Sequence, residues 1–310
     1  MPYRILVTGA SGFIGSALVN SLSEEGHDVV AAVREPERFV ASRGWEWEAV
    51  RLPDLSGPIA WERIVEGADI VVHLAGIANR GGSDDTLYDR VVHLATAELA
   101  DACLRQGVKR LIFMSSIGAQ TGSFADHVVT EGDDPQPVTA YDRAKLAAER
   151  AVERSGMPYT ILRPVIVYGP GAKGNIALFL RLAESAIPLP FGRFNNLRSY
   201  VARENLVKAI VLALDSHLMQ NETFIVADPE PISLADAFTV LRQANGRPAN
   251  LVKVPSWIIR LPLIVMGRRT TWERISGNLI ASSEKLQKAG WNPRLSTRDG
   301  LAMMIQVDRH

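Results

Sequence analysis

The chain has 310 residues, with 47% hydrophobic and 22% charged side chains, an ordinary balance for a soluble globular protein and enough length for one large α/β domain or a core domain plus a smaller lobe. Lys+Arg and Asp+Glu are both 34, so the formal net charge is zero and the overall balance directs the chain neither to nucleic acid nor to an anionic membrane. The single cysteine, Cys103, excludes an internal disulfide and reads as a small buried hydrophobe in a reducing compartment.

An apolar strand begins almost at the first residue, with Ile5-Leu6-Val7, which leaves no room for a signal peptide. It runs into Thr8-Gly9-Ala10-Ser11-Gly12-Phe13-Ile14-Gly15, and an apolar-periodic helix through Ala17, Leu18 and Leu22 follows. Strand, glycine turn and helix in this order form the anatomy of a dinucleotide site, where backbone N–H groups and a helix N-terminus receive a pyrophosphate. A tight turn without a ligand is the alternative. The run Asp28-Val29-Val30-Ala31-Ala32-Val33 reads as a second parallel strand. A carboxylate at its end would bind the adenosine ribose and favour NAD; here Arg34 and, one turn on, Arg38 stand instead. A guanidinium suits a 2′-phosphate, so the reading favours NADP(H) over NAD(H), with solvated surface arginines as the alternative.

Ala49-Val50-Arg51-Leu52 gives a short strand, Trp61 to Glu66 a short helix, and Ile70-Val71-Val72-His73-Leu74 another buried strand. Ala75-Gly76 are small, as a backbone beside a cofactor requires, and His73 reads as a hydrogen-bonded core residue before it reads as a proton donor. A polar, glycine-rich loop (78–86) precedes a long helix expected from Leu87 to Gln106, and Arg110 to Met114 makes the next strand. The repeated alternation means βαβ units and a doubly wound parallel sheet. That strand ends at Ser115-Ser116, on the edge that lines the ligand crevice of such a sheet. Tyr141 and Lys145, four apart on the following helix, lie on one face and can address the same small molecule. Tyr159 to Arg163-Pro164 gives a sixth strand, then Val167 to Gly171 a turn, and the alternation loosens. Helices are expected over Ile176–Leu182 and Glu204–Leu214, with a strand over Thr223–Ala227. The most apolar late segment, Trp257 to Met266, is interrupted by Arg260 and Pro262 and is too short to span a bilayer. There is no repeat and no Cys/His metal spacing, and a cytoplasmic protein is the expectation.

These landmarks together resemble the extended short-chain dehydrogenase/reductase family of nucleotide-sugar epimerases, dehydratases and reductases. They are the glycine turn at 8–15, Asp54-Leu55, His73 to Gly76, Ser115-Ser116, Tyr141/Lys145, Arg163-Pro164 through Tyr168-Gly169-Pro170, Arg198 to Val201 with Asn205-Leu206, and Gly290 to Pro293. The closer likeness is to bacterial UDP-sugar 4-epimerase-like and 4-keto-sugar reductase-like members. The resemblance implies a Rossmann-type doubly wound sheet over residues 1–170, with 199–228 returning to it, and a smaller, mixed C-terminal substrate lobe from 171–198 and 229–310.

It further implies that Tyr141 is the acid/base at the sugar C4 oxygen, that Lys145 lowers its pKa and binds the nicotinamide ribose, and that Ser116 bonds the reacting oxygen. Gly9, Ser11, Gly12, Phe13, Ile14, Gly15, Arg34, Asp54, Leu55, Leu74, Ala75 and Gly76 would line the cofactor, with Asp54 on adenine. Asn175, Arg198 and Arg274 would bind the nucleotide diphosphate, and two copies would pair through the helices near 87–106 and 141–155. Departures from the family pattern narrow the chemistry. Ile117-Gly118-Ala119 replaces the acidic pair of dehydratases, Cys103 is not placed as the cysteine of the GDP-fucose branch, and Val92 stands where many members carry asparagine. Reduction of a 4-keto sugar and 4-epimerisation are both consistent with this pattern. A non-catalytic dinucleotide-binding subunit or redox sensor is the rival from another class.

Overall fold

The computed structural model describes residues 2–43, 47–77, 84–267 and 269–307, without the side chains of residues 269, 270, 274, 306 and 307. Its centre is a parallel seven-stranded sheet of β1 (Arg4–Thr8), β2 (Asp28–Val33), β3 (Glu48–Arg51), β4 (Ile70–His73), β5 (Arg110–Met114), β6 (Tyr159–Pro164) and β7 (Glu222–Val226). The spatial order is β7-β6-β5-β4-β1-β2-β3, so the winding reverses between β1 and β4 and a ligand crevice is expected outside their C-terminal ends. Thr8 lies in register with both Ala32 and His73, which sets the last residue of β1 at that reversal point.

The strand sequences explain the burial. Ile5 and Val7 face one layer with Leu18, Leu22, Leu206 and Ile210, whereas Leu6 faces the other with Leu99, Leu111 and Val152. With both faces covered, the strands read as unbroken apolar runs instead of alternating ones. Each such buried aliphatic side chain contributes about 1.5–3 kcal/mol. The helices Phe13–Glu24 and Arg203–Asp215 pack together on one face, and Trp61–Val65, Ala95–Arg105 and Ala140–Arg154 form the other.

The helix expected over 87–106 starts earlier, at Asp85, and passes through six residues of π geometry (Asp89–Leu94) before α-geometry resumes at Ala95. One surplus residue in a turn leaves no trace in apolar spacing, since the core still receives Tyr88, Val91, Val92 and Ala95. Residues 78–83 of the expected polar loop lie outside the described residues.

A second apolar cluster joins Tyr168, Leu180, Tyr200, Ile232, Phe238, Leu241, Leu301 and Met304. It is built by helices Asn175–Glu184, Leu234–Ala244 and Thr297–Val307 with short strand pairs between them. Ile166–Tyr168 pairs with Tyr200–Ala202, Leu197–Arg198 with Ile232–Ser233, and Val128–Val129 with Ile280–Ala281. Arg242, 1% exposed, donates to the carbonyls of Ser185 (3.1 Å), Ile187 (2.6 Å) and Ala249 (3.0 Å), and so binds the end of helix Asn175–Glu184 to the chain around residue 249.

Candidate active site

The glycine turn closes β1 onto the helix Phe13–Glu24. Gly9 has φ +70°, and a Cβ there would stand 3.0 Å from the Ala75 amide nitrogen. A Cβ on Gly15 would lie 2.2 Å from the Gly9 carbonyl oxygen, so only glycine lets the helix start this close to the strand. Gly12 is the N-cap, and having no side chain it leaves the first-turn N–H groups uncapped for an anion. Ser11 is exposed, Phe13 and Ile14 half-buried, and the Arg203 guanidinium sits 5.2 Å over the Phe13 ring.

Across the crevice, the Thr8 hydroxyl accepts from the amides of Leu74 (3.2 Å) and Ala75 (3.1 Å). Its own proton therefore goes to His73 Nδ1 at 2.8 Å, which fixes His73 as the Nε2–H tautomer. Burial pulls the His73 pKa down to about 3, and the ring packs between Trp61 and Phe113. His73 is thus a neutral strut holding the Leu74–Gly76 segment against β1. Gly76 faces open space. Turn, uncapped helix and small-residue segment together make a cradle that fits the pyrophosphate end of a dinucleotide.

At its far end, Arg34 is exposed just past β2, and its charge helps lower the Asp54 pKa after the larger effect of hydrogen bonds from Ser56. Asp54 Oδ1 accepts from the Ser56 amide (2.8 Å) and hydroxyl (2.6 Å). Arg38 is engaged with Glu35 at 3.3 Å. The Leu55 side chain is buried in the cluster of Leu52 and Trp61.

Ser116, Tyr141 and Lys145 come together at the end of β5. The Ser116 oxygen caps the short helix Ile117–Gln120 by accepting from the Gly118 amide (3.1 Å), and Ser116 and Tyr141 line the same cavity. Lys145 donates to the Met114 carbonyl at 2.6 Å and lies 6.0 Å from the Tyr141 ring centre. Burial lowers the Lys145 pKa to about 8, opposed by the negative charge of Glu149. Burial, aided by the Asp142 charge, raises the Tyr141 pKa, and the Ser116 hydroxyl works against it. The helix carrying Tyr141 and Lys145 is started by a capping box between Thr139 and Asp142.

Behind this cluster lie Ser115 and Arg163, sequence landmarks without an assigned role, and Glu149 and Gln120, which no motif in the sequence singles out. Glu149 (1% exposed) and Arg163 (6%) form a buried ion pair, with Arg163 Nε 2.9 Å from Glu149 Oε1. Ser115 donates its hydroxyl to Glu149, and Arg163 also donates to Gln120. Glu149 is one helical turn beyond Lys145, the i,i+4 relation that could have pointed to it. Val92, in the π segment, packs with Tyr88, Phe113, Ala144 and Ile161, and so supplies apolar contact where an asparagine would bring a polar group.

Beside the cluster lies a cavity of about 630 Å3 lined by Ser116, Tyr141, Asn175, Arg198, Phe179 and Phe238, among others. Asn175 is the first residue of its helix, and Arg198 donates to the carbonyls of Ser123 and Gly277, both at 3.0 Å. The Arg274 side chain lies outside the described residues. The landmarks at 168, 205 and 290–293 do not line the cavity and meet in a joint of their own. Asn205 donates to Asp228 (2.8 Å) and to the Leu295 carbonyl (2.9 Å), Tyr168 donates to Asp228 (3.0 Å), and Trp291 donates to the Asn205 carbonyl (3.1 Å). Asp228 is pushed up to about 6 by burial.

Known proteins resemble the chain throughout. It is 32% identical to the UDP-glucose 4-epimerase of Vibrio cholerae over 99% of this chain and 96% of that one. The solved UDP-glucose 4-epimerase of Thermotoga maritima, with UDP-glucose, superposes with a TM-score of 0.80 at 25% identity, over 99% of this chain and 98% of that one. MoeE5 in complex with UDP-glucose and NAD superposes with a TM-score of 0.79 at 26% identity, over the same shares. The family model described as "NAD dependent epimerase/dehydratase family" matches residues 5–227, which include the glycine turn, Ser116, Tyr141 and Lys145, and the chain belongs to that family.

Proposed function

We propose that the chain interconverts the C4 epimers of a UDP-linked hexose through a 4-keto sugar, with Tyr141 as the acid/base. The observation that carries this reading is the meeting of Ser116 and Tyr141 on the wall of one cavity, with the Lys145 amine 6.0 Å from the Tyr141 ring centre. The Vibrio cholerae relative, similar over nearly its whole length, supports the choice of reaction. When bound, an oxidised nicotinamide supplies the hydride acceptor for C4 and a positive charge near the phenol.

This chain's residues do the rest. Ser116 would hold the C4 oxygen, and Tyr141 would take its proton and return it to the same oxygen once the 4-keto sugar has turned its opposite face toward the hydride donor. A buried phenol with a raised pKa is a poor base, and the Lys145 ammonium offsets that by favouring phenolate. With its pKa drawn down to about 8, Lys145 keeps that charge at neutral pH. The Gly9–Gly15 turn would hold the pyrophosphate and Asp54 the adenine end, with Ser11, Phe13, Ile14 and Leu74–Gly76 alongside. Asn175, Arg198 and Arg274 would hold the substrate diphosphate, contributed by a lobe of residues 171–198 and 229–310. Exposed Leu87, Leu94 and Leu104 support pairing of two copies through the helices near 87–106 and 141–155.

The test is interconversion of UDP-glucose and UDP-galactose, or of their N-acetyl and uronate counterparts. Tyr141→Phe should lower turnover by roughly 100-fold to 10,000-fold and leave nicotinamide binding intact. Full activity in that variant, or no conversion of any UDP-hexose by the unaltered protein, overturns the proposal.

One observation favours a second reading, an NADPH-dependent 4-keto-sugar reductase. Arg34 is exposed past the end of β2, at the position where a carboxylate would favour NAD. An epimerase keeps its cofactor through both half-reactions, whereas a reductase exchanges it each turnover. Stoichiometric NAD retained through purification rules out the reductase, and a protein purified empty that binds NADPH rules out the epimerase.

A further inference from the structure

Helix Trp257–Val265 has no buried residue, although its sequence is among the most apolar in the chain. Trp257 (63% exposed), Ile258 (43%), Leu261 (58%), Ile264 (41%) and Val265 (78%) recur at i, i+1, i+4, i+7 and i+8, so they share one face, and that face points to solvent. Met266 (63%), the C-cap of the helix, adds to the exposed apolar surface at that end. Contiguous apolar surface of this kind marks an interaction site.

Charge says what it fits. The sequence carries no Asp or Glu between Asp236 and Glu273, while the buried Arg242 and Arg247, Lys253, Arg260, Arg268 and Arg269 fall in that interval. Arg247, Lys253 and Arg260 are exposed. The zero net charge of the whole chain conceals this local excess. An outward apolar face containing tryptophan and flanked by cations is complementary to an anionic lipid surface, which takes the apolar side chains at its acyl boundary and the cations at its headgroups. A spanning role is excluded by length, since no helix among the described residues is long and apolar enough to cross a membrane.

We propose that helix Trp257–Val265 is a peripheral docking element that seats this protein on an anionic bilayer. The helix packs against Arg269–Ser276, which supplies Thr271 and Ile275 to the wall of the cavity. Docking therefore places the cavity next to the membrane surface. This holds whichever sugar or cofactor the site takes.

Flotation of the full-length protein with vesicles of phosphatidylcholine, alone or mixed with phosphatidylglycerol, tests the proposal. The protein should float with the anionic vesicles only, and less so as salt rises. Leu261→Glu should weaken that binding by roughly tenfold or more, since it places a charge where an apolar side chain enters the bilayer. Lys253→Glu with Arg260→Glu should weaken it and flatten the salt dependence. Both variants alter exposed positions and should keep the melting temperature of the unaltered protein. Failure to bind anionic vesicles, or equal binding by Leu261→Glu, overturns the proposal. So does a shift from dimer to monomer in Leu261→Glu by sedimentation without any lipid binding, which would give the face to a second copy of the chain.

Discussion

Replacing Glu149 by Gln tests the buried support of the tyrosine–lysine pair most directly. The change keeps the shape of the side chain and removes its charge, leaving the Arg163 guanidinium buried opposite a neutral amide. Breaking a buried pair from one side costs about 3–5 kcal/mol, because the remaining charge is desolvated without compensation. In a chain of this size that is a fall in melting temperature on the order of 10 °C. A second effect follows at Lys145. Its pKa stands at about 8 because burial pulls it down while Glu149 pulls it up. Removing Glu149 leaves burial unopposed, so the pKa falls further and less of the lysine is protonated at neutral pH. The expected outcome is a high-pH limb of activity that moves to lower pH, measured alongside thermal unfolding by circular dichroism. Replacing the pair together, Glu149→Leu with Arg163→Met, should restore much of the stability and leave the activity profile displaced. Unchanged stability and an unchanged profile in Glu149→Gln would refute the reasoning.

Other outcomes follow from the same geometry. His73, held neutral with its pKa near 3 against 6.5 in the unfolded chain, makes the unfolded state bind the extra proton between those values. Stability should therefore fall as pH drops from about 6.5 toward 3, and His73→Gln should make that slope shallower in urea titrations at each pH. Gly15→Ala forces a methyl to within 2.2 Å of the Gly9 carbonyl oxygen. It should cost about 1–3 kcal/mol and abolish binding of NAD(H) or NADPH measured by fluorescence. Cys103 is fully buried, with its thiol pushed up to about 12 by burial. A disulfide reagent should label it only as the protein unfolds, and rapid labelling of the native protein would contradict the packing.

The parallel sheet was legible because buried strands leave continuous apolar runs, and the crevice followed from the glycine turn after the first of them. Ser116, Tyr141 and Lys145 were legible because one is at a strand tip and the others share a helix face. Glu149 and its pairing with the landmark Arg163 were not, since the two are joined across a helix and a strand by packing that no local period records. The joint at Asn205 gathers residues 168, 228, 291 and 295, so only the folded chain shows what those landmarks do. The direction of helix Trp257–Val265 was equally hidden. An apolar stripe reads the same in sequence whether it faces the core or the solvent.

The sheet is completed late in synthesis. β6 ends at Pro164, but its outer neighbour β7 and the helix Arg203–Asp215 that covers one face are drawn from residues up to Val226. A ribosome adding about 5–20 residues each second needs several seconds to bridge that interval. During it, the emerging chain presents β6 as an open edge with Leu162 uncovered, a template for pairing with another chain. Translation pauses between these segments should therefore lower the yield of soluble protein, and chaperone demand should peak on nascent chains that end between residues 165 and 222.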